Sequence, residues 1–233
     1  MLPQLSKIKG AALDLLFPQK CLGCGEEGGL LCRRCRLSLP RIIPPVCPKC
    51  GRPQSSGIIC PSCVPWKNNI DGIRSPFKFE GLMRQAVHQL KYKNLRSLAR
   101  PLAELLENYL ISYPAPGDFI VPVPLHPKRL RERGYNQSQL VAHELSKLLD
   151  LPLREDCLTR VKYILPQAQT KSVDERIKNV QEAFFCFNTG LQNTRILLID
   201  DVSTSGATLD ACASALKKAG AFSVWGIVLS REL

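Results

Sequence analysis

No apolar run in this chain approaches the roughly 20 residues that cross a bilayer, so the sequence offers no transmembrane segment. No secretory signal is expected either. Lys7 and Lys9 precede Ala11, Ala12, Leu13, Asp14, Leu15, Leu16 and Phe17, a stretch too short and too interrupted for a signal h-region, with no small-residue cleavage site after it. Residues 1–20 are expected to form a short amphipathic helix, and the chain is expected in the cytoplasm. Acid is scarce, with 20 Asp and Glu against 32 Lys and Arg, a formal charge of +12. Histidine is scarcer still, three in all. His126 stands alone in a basic loop, where a histidine is by default neither ligand nor catalyst. His88 reads as a packed or surface residue.

What is present is ordinary globular material, 233 residues at 45% apolar content, enough for one full domain and a small module. The charge is uneven. Residues 1–137 hold 21 Lys and Arg against 9 Asp and Glu, whereas residues 138–233 hold 11 of each. Such an excess attracts phosphates or nucleic acid.

Cysteine is abundant and patterned. Of eleven, eight fall in four C-x2-C pairs: Cys21 and Cys24, Cys32 and Cys35, Cys47 and Cys50, Cys60 and Cys63. Each pair forms a knuckle offering two sulfurs to one metal, and two knuckles complete a tetrahedral zinc site. Gly25 and Gly51 follow Cys24 and Cys50, where the chain must turn tightly. The halves 21–35 and 47–63 look like a repeat. Sequential pairing of the knuckles on two structural zinc ions is simplest, and an interleaved pairing satisfies the same spacing. The pattern leaves no open ligand position, which argues against catalytic zinc. A disulfide framework fits poorly with a cytoplasmic chain. With two such sites, the working charge falls to about +8, since each four-thiolate zinc site carries about −2. Cys157, Cys186 and Cys212 lie in apolar contexts and read as core.

Near the other end, Ile196 to Ile199 form an unbroken aliphatic run, as suits a strand buried on both faces of a parallel sheet. Asp200 and Asp201 follow, then Ser203, Thr204, Ser205, Gly206, Ala207 and Thr208, with a helical pattern from about Thr208. Ligands of open α/β sheets bind beyond the carboxyl ends of strands, where backbone N–H groups and a helix dipole favour an anion. Two acids would repel a bare phosphate. They make sense as acceptors from sugar hydroxyls with phosphate further along the loop, which describes a ribose 5-phosphate site. A magnesium or phosphoacceptor site fits the hydroxyl-glycine loop less well.

Between these landmarks, residues 64–76 read as linker and turn, Phe77 to Phe79 as a short strand, Gly81 to Tyr92 and Ser97 to Tyr113 as helices. Leu82, Val87 and Leu90 of the first helix are expected inward. Lys91, Lys93, Arg96 and Arg100 cluster around Tyr92, either as a solvated helix end or as a phosphate contact. Phe119 to Leu125 is a buried strand entering a basic loop with Lys128, Arg129, Arg131 and Arg133, whose guanidinium forks suit pyrophosphate. A helix follows from Asn136 or Ser138. Residues 160–180 are polar and basic, with a short helix near Asp174 to Val180. Phe184 to Phe187 reads as a strand, Asp210 to Ala219 as the rest of a helix capped by Gly220, and Phe222 to Leu229 as the last strand.

The acidic strand motif resembles the 5-phosphoribosyl 1-pyrophosphate (PRPP) motif of type I phosphoribosyltransferases. With Lys91-Tyr92-Lys93, Pro122 to Leu125, Arg131 to Gln137, Gln167, Arg176, Asn179 to Phe184 and the paired cysteines, the whole chain resembles the ComF/GntX family. Tyr135 and Ser205 replace the usual Phe and Thr. The resemblance implies a phosphoribosyltransferase-like parallel α/β domain over 70–233 and a double zinc ribbon over 18–66. It implies PRPP bound with magnesium: Asp200 and Asp201 on the ribose hydroxyls, Ser203 through Thr208 on the 5-phosphate, and Arg129 with Arg131 and Arg133 on the leaving pyrophosphate. Arg131, Arg133, Gln167 and Arg176 would serve the reacting end, and residues 160–180 would close over it. It further implies a link to DNA uptake or use of external DNA, with single-stranded DNA and uptake or helicase proteins as partners. No residue stands out as a general base, so transfer and non-catalytic binding both remain open.

Overall fold

The computed structural model describes residues 18–64, 69–161, 183–187 and 190–233. Its elements in chain order are α1 (Arg33–Leu37), β1 (Gly72–Arg74), β2 (Phe77–Lys78), α2 (Gly81–Tyr92), α3 (Ala99–Ser112), β3 (Phe119–Pro122), α4 (Pro127–Arg133), α5 (Gln137–Leu149), β4 (Thr159–Arg160), β5 (Phe184–Phe185), β6 (Arg195–Ser203), α6 (Ala207–Lys218) and β7 (Ser223–Arg231). The expected N-terminal helix, the segment expected to close over the site, and the helix near 174–180 lie outside the described residues.

The long central strands β6 and β7 organise a five-stranded sheet of order β1-β7-β6-β3, with β2 also on β7. Every pairing in it is parallel. β6 lacks hydrophobic alternation because helices cover both faces. Leu197 and Ile199 join one core with α2, α3 and α5, including Met83, Leu90, Leu102, Leu106 and Leu145. Ile196 and Leu198 join the other, with Leu209, Cys212 and Leu216 of α6. Cys157 and Cys212 are fully buried core residues, as their contexts suggested. Asp210, in the first turn of α6, accepts from the backbone N–H groups of Asn69 (2.6 Å) and Ile70 (3.1 Å) and thereby leads the chain into β1.

Two sequence expectations need correction. Residues 64–76 are not all linker, since β1 runs through Gly72–Arg74, held by β7 on one side and by Ile73 N–H donating to Lys49 O (2.7 Å) on the other. Three residues are too few to show a period. The basic loop contains a helix, α4, with His126 Nδ1 accepting from Lys128 N–H as N-cap, Pro127 first inside, and Gly134 left-handed after the last turn. In α2, Val87 and Leu90 are buried as expected, whereas Leu82 is partly buried. β5 stops at Phe185, short of Phe187, which is exposed.

The cysteine-rich segment packs directly on this sheet. Leu30, Leu31 and Leu39 enter the α2–α3 core. Arg41 bridges Phe77 antiparallel, and Lys78 N–H donates to Pro40 O (2.8 Å). Arg36 pairs with Glu104 of α3 at 2.8 Å.

Candidate functional site

The eight paired cysteines gather sequentially into two clusters, Cys21, Cys24, Cys32 and Cys35, then Cys47, Cys50, Cys60 and Cys63. Within each, the sulfurs lie within 4.8 Å of one another. None of the eleven cysteines is in a disulfide. The halves repeat in detail. Gly25 N–H donates to Cys21 O (2.8 Å) and Gly51 N–H to Cys47 O (2.9 Å), each glycine at positive φ. Cys32 N–H donates to Cys21 Sγ (3.3 Å), and Cys60 N–H to Cys47 Sγ (3.4 Å). Burial opposes ionisation of Cys21 and Cys47, but these and neighbouring backbone N–H groups bring both thiols down to about 6. Four cysteine sulfurs gathered this closely in each cluster fit structural zinc.

At the carboxyl end of β6, Asp201 continues the row of Leu197 and Ile199 and is 3% exposed. Its Oδ2 lies 2.8 Å from Lys91 Nζ at the end of α2, and its Oδ1 accepts from Val202 N–H (2.7 Å). Asp200 Oδ1 accepts from Ser138 Oγ (2.8 Å) and from Asp201 N–H (2.9 Å). Burial and the neighbouring Asp201 carboxylate push Asp200 up to about 7, against the pull of Lys91 and Ser138. Asn136 supports this corner. Its side-chain N–H donates to Val123 O (2.9 Å) and its Oδ1 accepts from Ser138 N–H (3.1 Å), capping α5.

Beyond the acids, Ser203 is buried, Thr204 and Ser205 are exposed, and Gly206 is the left-handed N-cap (φ 87°) of the twelve-residue α6. Ala207 and Thr208 open the helix, so the expected anion-binding loop does feed a helix N-terminus.

A cavity of about 420 Å³ opens beside Lys91, lined by Tyr92, Asn94, Arg129, Glu132, Arg133 and Tyr135. Arg133 sits 5.3 Å from the Tyr92 ring centroid and Arg96 4.5 Å from that of Tyr135. Tyr135 OH donates to Leu90 O, and Arg133 to Gln137 Oε1. Arg129 and Arg133 thus join Lys91, while Arg131 stands on the exposed face of α4. Gln167 and Arg176 lie outside the described residues. Burial and the cations Arg160, Arg131, Lys128 and Arg129 depress His126 below its usual range, which suits its role as N-cap acceptor.

Sequence reasoning missed three participants. Ser138 was legible only as a helix start. Arg160, which faces the Asp200 charge and stacks 5.3 Å from the Phe184 ring, was one cation among many. Arg231, 1% exposed at the end of β7, donates to Ser203 Oγ (3.3 Å) and Thr204 O (3.1 Å). A charged residue closing an apolar strand was the available signal.

The family model of the double zinc ribbon domain matches residues 12–64. Competence protein ComFC of Bacillus subtilis is 30% identical over 211 residues, covering 87% of this chain and 84% of that protein. DNA utilization protein YhgH of Salmonella typhimurium is 31% identical over 198 residues, covering 81% and 85%. Among solved structures, the glutamine PRPP amidotransferase of B. subtilis matches 56% of this chain at 16% identity and a TM-score of 0.39, and the match spans 26% of the amidotransferase's own length. With its two four-cysteine zinc sites, its parallel sheet flanked by helices, and relatives at this identity over most of their length, the chain belongs to the ComF/GntX family.

Proposed function

We propose that this protein binds PRPP at the junction of β6, α6 and α4, in the service of DNA uptake or the use of external DNA. The observation that supports the reading is Asp200 and Asp201 directly before a hydroxyl-rich loop at a helix N-terminus, with Asp201 joined through Lys91 to a cavity also lined by Arg129 and Arg133. Asp200 accepts hydrogen bonds from the ribose hydroxyls, and Asp201, whose carboxylate is held by Lys91 and Val202 N–H, is assigned to them by family resemblance. Ser203 through Thr208 hold the 5-phosphate with backbone N–H groups and hydroxyls. Lys91, Arg129 and Arg133 face the pyrophosphate. Arg131, Gln167 and Arg176 are assigned to the reacting end by family resemblance alone.

Magnesium fits the donor set, because Asp200 offers hard carboxylate oxygen at the carboxyl end of β6. When bound, it supplies charge neutralisation for the pyrophosphate. In a transferase, a nucleophile would bond to the anomeric carbon as the carbon–oxygen bond to pyrophosphate breaks, with the guanidinium forks taking up the developing charge. Lys91, Arg129 and Arg133 would supply the balancing positive charge. None of the surrounding groups is an evident base for the nucleophile.

A second reading is a binding module without turnover, in which the basic N-terminal half holds single-stranded DNA. The charge excess in residues 1–137 favours it. The experiment that separates the two is a screen for pyrophosphate release from PRPP and magnesium with bases, nucleosides and DNA. Release with one acceptor class establishes transfer, and binding without release leaves a sensor or scaffold. The chain is assigned to the cytoplasm, where reducing conditions keep zinc-binding thiolates intact. Among the described residues no helix is long and apolar enough to cross a membrane.

A further inference from the structure

The two cysteine clusters meet the rest of the molecule differently. The first rests on α2, where the Gly23 backbone comes close to both Cys35 and Leu82. The second is wholly buried, with Cys47, Cys50, Cys60 and Cys63 each at most 5% exposed. A zinc ion held by four thiolates carries a net charge of about −2, and a buried charge of that size demands a buried counter-charge.

Arg231 supplies it. Its side chain forms no ion pair with a carboxylate among the described residues. Burial and the neighbouring Arg52 work against its charge, while Cys50, Cys63 and Cys60 favour it. Its Nε has no hydrogen-bond partner among the described residues. The other end of the same guanidinium grips the anion-binding loop, with one Nη donating to Ser203 Oγ and the other to Thr204 O. The sheet register sets this contact, because Ser203 on β6 pairs directly with Arg231 on β7. A cavity of about 260 Å³ lies between the two partners, lined by Cys50, Arg52, Ser62, Cys63, Ser205 and Arg231.

We propose that Arg231 is a positioning residue that couples the second zinc site to the Ser203–Gly206 loop, so that metal at Cys47, Cys50, Cys60 and Cys63 sets the loop's conformation and through it sugar-phosphate affinity. The thiolate charge holds the guanidinium in place, and the guanidinium fixes the loop ahead of α6. The first zinc site lacks this connection and is a structural staple. The affinity part rests on the PRPP reading, whereas the loop part does not.

The test is amide hydrogen exchange on full-length, zinc-loaded protein without ligand, with Ile196 to Ile199 of β6 as internal reference. Cys63→Ser, at one zinc per chain, should speed exchange across Thr204 to Thr208 by about tenfold relative to that reference, since the loop loses two charge-assisted hydrogen bonds. Cys24→Ser, also at one zinc per chain, should leave the loop near its original rate. Arg231→Lys should keep two zinc ions yet speed loop exchange, because a single ammonium nitrogen replaces the fixed two-nitrogen fork that holds Ser203 Oγ and Thr204 O. Arg231→Met should do so and also release the second zinc at lower chelator concentration. Loop exchange unchanged in both Cys63→Ser and Arg231→Lys overturns the coupling. So does equal acceleration in Cys24→Ser, which would mean general destabilisation. Should Cys63→Ser not fold, Arg231→Lys and stepwise chelation of the wild type decide alone. Calorimetry with PRPP and magnesium then reads the affinity arm. If the wild type binds no PRPP, the functional reading falls while the exchange result still stands or falls by itself.

Discussion

Lys91 Nζ and Asp201 Oδ2, 110 positions apart in sequence, meet at 2.8 Å, and the Asp201 side chain is 4% exposed. The contact ties the last turn of α2 to the carboxyl end of β6 and balances a carboxylate that the sheet would otherwise bury alone. Removing only the cation strands that charge. Lys91→Met should therefore cost about 3 kcal/mol, the low end for a broken buried pair because the lysine is one-fifth exposed. Lys91→Met with Asp201→Asn should recover part of the loss. Urea unfolding of the two variants checks this, and a double variant no better than the single would mean that the pair is not coupled.

Asp200→Asn with Asp201→Asn should weaken PRPP–magnesium binding by about 2–6 kcal/mol, at ~1–3 kcal/mol for each charged acceptor lost to a sugar hydroxyl. Isothermal calorimetry on folded protein measures it. Unchanged affinity would remove the ribose role from both residues.

The raised pKa of Asp200, about 7, gives two pH effects of defined sign. The folded state holds this proton more tightly than the unfolded chain does. Stability of the free protein should therefore fall as pH rises from about 4, the unfolded value, to about 7, and then level off. Ligand or magnesium favours the carboxylate, so binding near neutrality should release a proton, and affinity should climb between pH 6 and pH 8. Calorimetry in buffers of different ionisation enthalpy counts the proton, and Asp200→Asn should abolish both trends.

Metal analysis of reduced, folded protein should find about two zinc ions per chain, one for each four-cysteine cluster. A value near zero would contradict the ribbon assignment.

Arg33 and Arg34 are exposed beside the first cluster, whereas Arg36 is committed to Glu104. If the basic half holds single-stranded DNA, Arg33→Ala with Arg34→Ala should reduce affinity and lower the salt slope by about 0.7 for each lost phosphate contact. PRPP binding should stay intact. Fluorescence anisotropy of a labelled oligonucleotide over a salt series reads the slope.

The C-x2-C pairs and the β6 motif were legible because each is local: a fixed spacing, or a run of aliphatics ending in two acids. The sequential grouping of the knuckles needed the structure, since spacing alone allowed either pairing. β1 was missed because its three residues are a strand only by virtue of β7 and Lys49. α4 could have been found. Its composition reads as a solvated loop, but His126, Pro127 and Gly134 are its start and stop signals. Lys91, Ser138, Arg160 and Arg231 converge on the acids and the loop from four different elements. No one-dimensional pattern encodes that convergence, because it is set by strand order and helix docking.

Sheet edges with unpaired N–H and C=O groups invite pairing with other chains. Here one edge consists of the short strands β1 and β2, and the segment around the second cysteine cluster lies along it, through Lys49 on Ile73 and Pro40 and Arg41 on Lys78 and Phe77. The zinc ribbon is therefore also a shield against self-association. Loss of its metal should loosen that cover, and light scattering of chelator-treated protein should show self-association that rises with protein concentration.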